Sequence, residues 1–387
     1  MDRIAIGITS VRYKGYTEQV KGLLDTYPAA ARRVVDSDSD GSLGLRGLPE
    51  GTRVDVIAAG GFGLEFLRSK VLADPRFRSM RERGDIGFVF TSDKFHNIPL
   101  SGFESILMLA PERAIRRFKR ENPGVSIKGL PVDLTSSPSR GAMLASADEF
   151  ADGDRDAARE IEAFDYRLLM LLGGRVQDED GNWKENEPAV FAKEAGRTLR
   201  RARGANILVG THGLRSFTRS DGTNSFAPIH AFVDTLRSNV RRGQRILLLS
   251  QKEIDRKTRA PALVEIERSG MFRYSLDGRG SPYNFILRDA AGKGAAICAT
   301  AEQMTLPAEL AALGADMRKL HPSYWALTVP SNVETYRSIR RKAALGMKLS
   351  GAAEVFAKYK GKRDAKEASL ERREDFLRAA GVYQKHK

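Results

Sequence analysis

Residues 296–314 read Ala296-Ile-Cys-Ala-Thr-Ala-Glu-Gln-Met-Thr-Leu-Pro-Ala-Glu-Leu-Ala-Ala-Leu-Gly314. The apolar run Ala295 to Ala299 stops at Thr300, and a polar turn follows. A helical pattern then opens with Pro307 at its start and Glu309 in its first turn. Proline suits that position because the first helical N–H has no partner to lose. A strand that turns into a helix N-terminus gathers unpaired backbone N–H groups at one point, which suits a phosphate or a sugar hydroxyl. The stretch predicts one strand–turn–helix unit of a parallel sheet and a nucleotide or nucleotide-sugar site.

The same unit recurs outward along the chain. Arg3 to Thr9 reads as a buried strand, followed by a glycine turn at Gly15 and an amphipathic run from Thr17 to Leu24. Arg53 to Ala59 is a second strand, ending in Gly60-Gly-Phe-Gly63 before a helix. Asp85 to Thr91 and Ser105 to Ala110 follow, and Pro111-Glu112-Arg113 opens another helix. Asp133 to Asp156, rich in Ser, Gly and Asp, reads as an interdomain connection. Strands then restart at Tyr166 to Leu172, Ala205 to Val209, Arg245 to Leu249 and Ala295 to Ala299. This alternation predicts α/β architecture with two Rossmann-like parallel-sheet domains facing a cleft. The expected division is 1–150, 160–330 and a basic helical tail at 331–387 that crosses back over the first domain.

With 387 residues the chain exceeds one ordinary core and suits two domains. No apolar run reaches the ~18 residues of a membrane span, and Met1 to Ile8 reads as a short strand with an acidic second residue, a pattern not expected of a secretory leader. One cysteine, Cys298, excludes an intramolecular disulfide framework and a cysteine-rich zinc site. A cytoplasmic location is expected. The formal charge is +15, and residues 331–387 hold fifteen Lys/Arg against seven Asp/Glu. A basic segment of this kind meets an anionic membrane surface, nucleic acid or another polyanion, or is simply a solvated helical face. Its aromatic residues are scattered rather than interleaved with the cations, so nucleic acid ranks last.

In the second half every strand end carries small or polar groups: Gly173 and Gly174, Thr211 to Arg215, Ser250 and Gln251, and Thr300 to Met304. In an open parallel sheet these ends share one edge. The candidate donor-binding residues are therefore Gly173, Gly174, Thr211, His212, Arg215, Ser250, Gln251, Tyr283, Thr300, Glu302, Gln303, Met304 and Glu309. Glu309 can accept from two vicinal hydroxyls of a ribose, or stabilise the positive end of its helix. In the first half Lys14, Gly15 and Gln19 form an acceptor-side loop, and Glu18, Asp93 and His96 are the candidate general bases. Asp36 to Gly41 mimics the start of a calcium loop, but Gly47 stands where the bidentate Glu belongs. Asp178-Glu-Asp180 reads as a hydrophilic turn more readily than a metal site, so no metal is assigned.

From Ile4 to Leu320 the order of elements resembles the mitochondrial-fission ELM family, similar in build to two-domain GT-B glycosyltransferases. The family's opening strand–loop–Gln–helix is matched with Gln19 in the Gln place, and its Gly-Gly strand end by Gly173 and Gly174. Thr211 matches one residue of a Thr-Ser-Arg-Arg motif, and Pro282 and Tyr283 match an Asn-Pro-Tyr. Thr300 and Glu309 keep the spacing of a Thr-x-Asp-Ser-x-Ser-x-x-x-Glu motif, with Glu302 and Gln303 replacing Asp and Ser. The resemblance implies a GT-B-like fold, a nucleotide-sugar held by the second domain, and transfer without a required metal or other cofactor. Arg215, Lys252 and the N–H groups around Thr300 to Met304 would then stabilise the leaving diphosphate. The expected activity is transfer of a sugar to a glycan or lipid-linked acceptor, with the protein peripheral at the inner face of the membrane. The alternative is a non-catalytic nucleotide-sugar-binding or scaffold protein.

Overall fold

The computed structural model describes residues 3–10, 14–27, 31–37, 52–135, 140–171, 204–210, 243–249, 282–301, 303–323 and 330–360. Short pieces at 176–177, 183–184, 193, 196–197, 199–200, 217–218, 224–225, 234–235, 238–239, 241 and 362 complete it. The chain forms two compact units: Met1–Ser92 with Leu100–Val132 and Ser350–Lys387, and Asp93–Pro99 with Asp133–Leu349. Both are Rossmann-like α/β units built on parallel sheets.

The first sheet has six strands: β1 (Arg3–Thr9), β2 (Ala31–Asp36), β3 (Arg53–Ala59), β4 (Ile86–Thr91), β5 (Ser105–Ala110) and β6 (Ser126–Pro131). Their order is β2-β1-β3-β4-β5-β6, all parallel. Central strands covered on both faces read as continuous apolar runs, and β1 and β3 are buried beyond their first residue. The edge strands β2 and β6 were not expected from the sequence. In β2 Arg32, Arg33 and Val34 are exposed, because an edge strand is half open to water and needs no apolar run. The helix Lys14–Asp25 packs Val20, Leu23 and Leu24 onto Ala5, Ile57 and Ala59. It lies so close to β1 that a Cβ on Gly7 would collide with Val20 and Leu24.

The first unit is completed from the far end of the chain. A helix at 352–360 adds Ala352 and Phe356 to the same apolar cluster. At its end Lys360 donates to Asp55 of β3 at 2.7 Å, and both side chains are 2% exposed. The Tyr27 hydroxyl donates to the same carboxylate at 2.5 Å. The Lys360 ammonium also lies 4.7 Å from the Tyr27 ring centroid and 5.6 Å from that of Phe356. Burial alone would raise the Asp55 carboxyl. The Lys360 charge and the two hydrogen bonds outweigh it and hold the group below its ordinary value.

The second unit centres on β7 (Leu168–Leu171), β10 (Ile207–Gly210), β13 (Ile246–Leu249), β14 (Ala296–Thr300) and β15 (Leu320–Ser323). Two short hairpins, β8 (Val176–Gln177) with β9 (Trp183–Lys184) and β11 (Phe217–Thr218) with β12 (Asn224–Ser225), stand apart from the sheet. The sheet order is β13-β10-β7-β14-β15, again all parallel.

The expected connection at Asp133 to Asp156 is instead largely helix, Arg140–Gly153. Met143, Ala147 and Phe150 recur at spacings of four and three and are buried in the second core, while the polar residues occupy the outer face. Asp154 caps the next helix, Arg155–Ala163, by accepting from the Ala157 N–H at 3.2 Å. The expected tail also divides. The helix Pro330–Ala344 lies in the second unit, and residues from Ser350 onward belong to the first. The helix Pro282–Gly292 adds Phe285, Ile286, Leu287 and Ala290 to the second core.

Candidate functional site

In the second sheet the chain runs from β7 through β10 to β13 on one side, then crosses to place β14 and β15 on the other. The order reverses between β7 and β14. In open parallel sheets that switch point, outside the carboxyl ends of the strands, is where ligands bind. Leu171 ends β7 and Thr300 ends β14.

The polar turn after β14 is held firmly at this point. Gln303 donates from Nε2 to the Leu171 carbonyl and to Thr300 Oγ1, both at 3.1 Å, so one side chain ties the two strand ends together. Its backbone N–H donates to the Thr300 carbonyl at 3.1 Å. Its own carbonyl accepts from the Tyr336 hydroxyl at 2.6 Å, and Tyr336 is fully buried on the helix Pro330–Ala344. Pro307 opens the helix Leu306–Ala312, as its sequence position predicts. Leu306, Ala308 and Leu310 face the core. Glu309, half-buried in the first turn, accepts from the Tyr283 hydroxyl at 2.7 Å. Burial, and then the charge of Glu309, hold that hydroxyl well above its ordinary value, so Tyr283 stays a neutral donor. The result is a carboxylate oriented by a phenol, one helix turn from a strand end at the switch point.

Of the expected donor residues, the structure thus brings Tyr283, Thr300, Gln303 and Glu309 to one place. The Met304 side chain is buried in the core, which leaves its main chain for any ligand. Gly173, Gly174, Thr211, His212, Arg215, Ser250, Gln251 and Glu302 lie outside the described residues, as do Lys252 and Asp178 to Asp180. The sequence reading missed Tyr336. Its only sequence signal is a single aromatic in a charged helix, and its role depends on a loop 33 residues away.

The first sheet reverses its order between β1 and β3. Lys14 and Gly15 open the helix that follows β1. The Tyr16 ring lies against Gly60 at the end of β3, where φ is +65° and a Cβ would come within 2.5 Å of the ring, so only glycine fits. Gln19 is fully buried, and among the described residues neither amide atom has a hydrogen-bond partner. The equally buried Thr91 hydroxyl, at the carboxyl end of β4, has none either. Thr91 shares a strand face with Val89, which packs in the cluster of the Gln19 helix. Buried polar groups of this kind are ordinarily paired with protein or ordered water. Thr91 was not singled out from sequence, since a threonine ending a β-strand is unremarkable in one dimension.

The candidate bases differ in setting. Glu18 is on the first unit's surface, paired with Lys21 at 3.3 Å. Asp93 and His96 belong to the segment that groups with the second unit, not to the first domain as expected. Burial, and then the Lys94 charge, lower the His96 pKa to about 3. At neutral pH its imidazole is therefore uncharged and a weak base. His321 sits on the edge strand β15, in register with the buried Cys298. Among the described residues no cluster of three or more His, Cys, Asp or Glu is arranged to hold a metal ion. None of their helices is long and apolar enough to cross a membrane.

No protein-family model matches the chain, and no curated protein matches it, so the family resemblance drawn from its motifs gains no support there. Among solved structures the chain is similar to a UDP-glucosyltransferase from Polygonum tinctorium capable of glucosylating indoxyl, in its complex with 3,4-dichloroaniline. The identity is 9%, the TM-score 0.40, and the match covers 93% of this chain and 98% of the other. A likeness of that degree carries no statement about activity.

Proposed function

We propose that the second unit binds a nucleotide-sugar at the β7/β14 switch point. The observation that carries this reading is the Tyr283–Glu309 pair beside the tied strand ends at Thr300 and Leu171. Glu309 would accept from the ribose hydroxyls, and the N–H groups of Met304 and Thr305 would face the diphosphate. The activity we infer is GT-B-type glycosyl transfer without a required metal, to a glycan or lipid-linked acceptor bound by the first unit.

One observation favours a second reading, nucleotide-sugar binding without turnover. His96 is held neutral far below the range of an effective base, which leaves Glu18 and Asp93 as the bases proposed from the sequence.

A thermal-shift screen against UDP, GDP, CMP, ADP and dTDP, with their common sugar conjugates, tests both. A ligand at about a hundred times its Kd stabilises its protein by ~2.7 kcal/mol. A hit that is lost in Glu309→Ala, with that variant's own melting point within a few degrees of wild type, supports the site. Wild-type-like affinity in Glu309→Ala removes it. Turnover of the hit then separates enzyme from binding protein.

A further inference from the structure

Among the described residues only three large hydrophobic side chains are exposed, and two of them, Leu345 at 67% and Met347 at 52%, are neighbours in sequence. They sit where the helix Pro330–Ala344 ends. The Met347 N–H donates to the Lys342 carbonyl at 2.9 Å and the Gly346 N–H to the Ala343 carbonyl at 3.1 Å, while Gly346 takes a φ of +67°. This is a Schellman turn, a rigid helix stop that only a residue tolerant of positive φ completes readily. Such turns ordinarily pack the residue after the glycine onto an apolar one a turn earlier. Here the earlier residue is Lys342, whose ammonium is engaged by Asp133 at 2.6 Å. Met347 therefore lacks its usual cover, and the turn presents Leu345 and Met347 to solvent in a fixed geometry.

Cations frame this apolar tip. Arg337 and Arg341 lie one turn apart on the exposed side of the helix, and Lys348 follows Met347, also exposed. Between residues 330 and 349 there are five Lys/Arg and one acidic residue, Glu334. An acidic protein partner would need a groove matched to two protruding side chains. A bilayer accepts any convex apolar tip and rewards the flanking positive charge.

We propose that this helix end is an anchor for an anionic lipid surface, with Leu345 and Met347 entering the interface and Arg341 and Lys348 meeting the headgroup charge. The inference stands apart from the nucleotide site and survives its failure.

Sedimentation of the full chain with vesicles tests it, using phosphatidylcholine with and without about 30 mol % phosphatidylglycerol, since anionic lipid supplies the attraction. Binding is expected only to the anionic vesicles, reduced at least tenfold in the charge-neutral Leu345→Ser/Met347→Ser and about fivefold in Arg341→Ala. Equal binding to neutral vesicles overturns the charge argument. Wild-type-like binding by the double variant places the contact elsewhere, as a purely electrostatic polyanion surface would, and overturns the proposal. Should the double variant fold poorly, Leu345→Cys carrying an environment-sensitive dye gives an independent readout, because the native Cys298 is buried. A blue shift on anionic vesicles supports the anchor, and its absence overturns it.

Discussion

Replacing Lys360 by methionine keeps most of the apolar stem against Phe356 and Tyr27 and removes only the charge that Asp55 needs. Two unit charges 2.7 Å apart attract by ~6 kcal/mol at an effective dielectric of ~20, a gain largely offset by desolvation. Removing one partner leaves the other buried and unpaired, which costs ~3–5 kcal/mol. With two units the protein has no single unfolding transition to rely on, so amide hydrogen exchange read by mass spectrometry is the better assay. Peptides covering β3 should exchange about a hundredfold faster or more in Lys360→Met, while those covering β14 serve as the internal control.

The effect has a defined pH dependence. In the wild type the depressed Asp55 pKa contributes stability that is present above the unfolded value of ~4 and is lost as pH falls through the folded one. Without Lys360, burial dominates and the folded pKa rises above the unfolded one. Protonation then relieves the defect, and variant and wild type converge as pH falls. Tyr27→Phe, Asp55→Leu and Lys360→Met together should recover most of the loss, because an apolar replacement has no charge to bury. A change below about fivefold in β3 exchange for Lys360→Met, ~1 kcal/mol, would refute the buried pair and the docking of the 352–360 helix.

Further expectations follow from the same geometry. A Cβ at Gly87 would collide with Asp55 Oδ1, so Gly87→Ala should displace the carboxylate and cost about as much as breaking the pair, ~3–5 kcal/mol by the same exchange assay. In the second unit Tyr166 donates to Asp289 at 2.8 Å, and Lys293 holds the same oxygen at 2.8 Å. Tyr166→Phe should cost ~1.5–3 kcal/mol, read by exchange in β7, with β3 unchanged. His96, with its folded pKa lowered to about 3, should show no NMR titration between about pH 5 and 8. Its contribution to stability is full above its unfolded pKa of ~6.5 and falls as the pH drops below it. An NMR midpoint near 6.5 would show that the imidazole is not buried in this way.

The sequence by itself determined the architecture class. Strands β1, β3, β4, β5, β7, β10 and β14 were all legible because strands inside a parallel sheet are covered on both faces and must be apolar, and the edge strand β13 was legible from its own apolar run, Ile246–Leu249. Edge strands β2, β6 and β15 were not, since half their surface faces water and their composition resembles loop. The spacing from Thr300 to Glu309 was legible for a similar reason: strand end, turn and helix start are local, and proline marks the helix start without reference to anything distant.

What only the tertiary structure decided lies at long range. Glu309 meets a tyrosine 26 residues away, and Gln303 ties its turn to a carbonyl 132 residues away. Lys360 reads as one more solvated cation in a basic tail. It is in fact buried against a carboxylate 305 residues earlier. Composition records how many charges a chain has, but burial and pairing depend on which surfaces the fold brings together, and no local pattern carries that information.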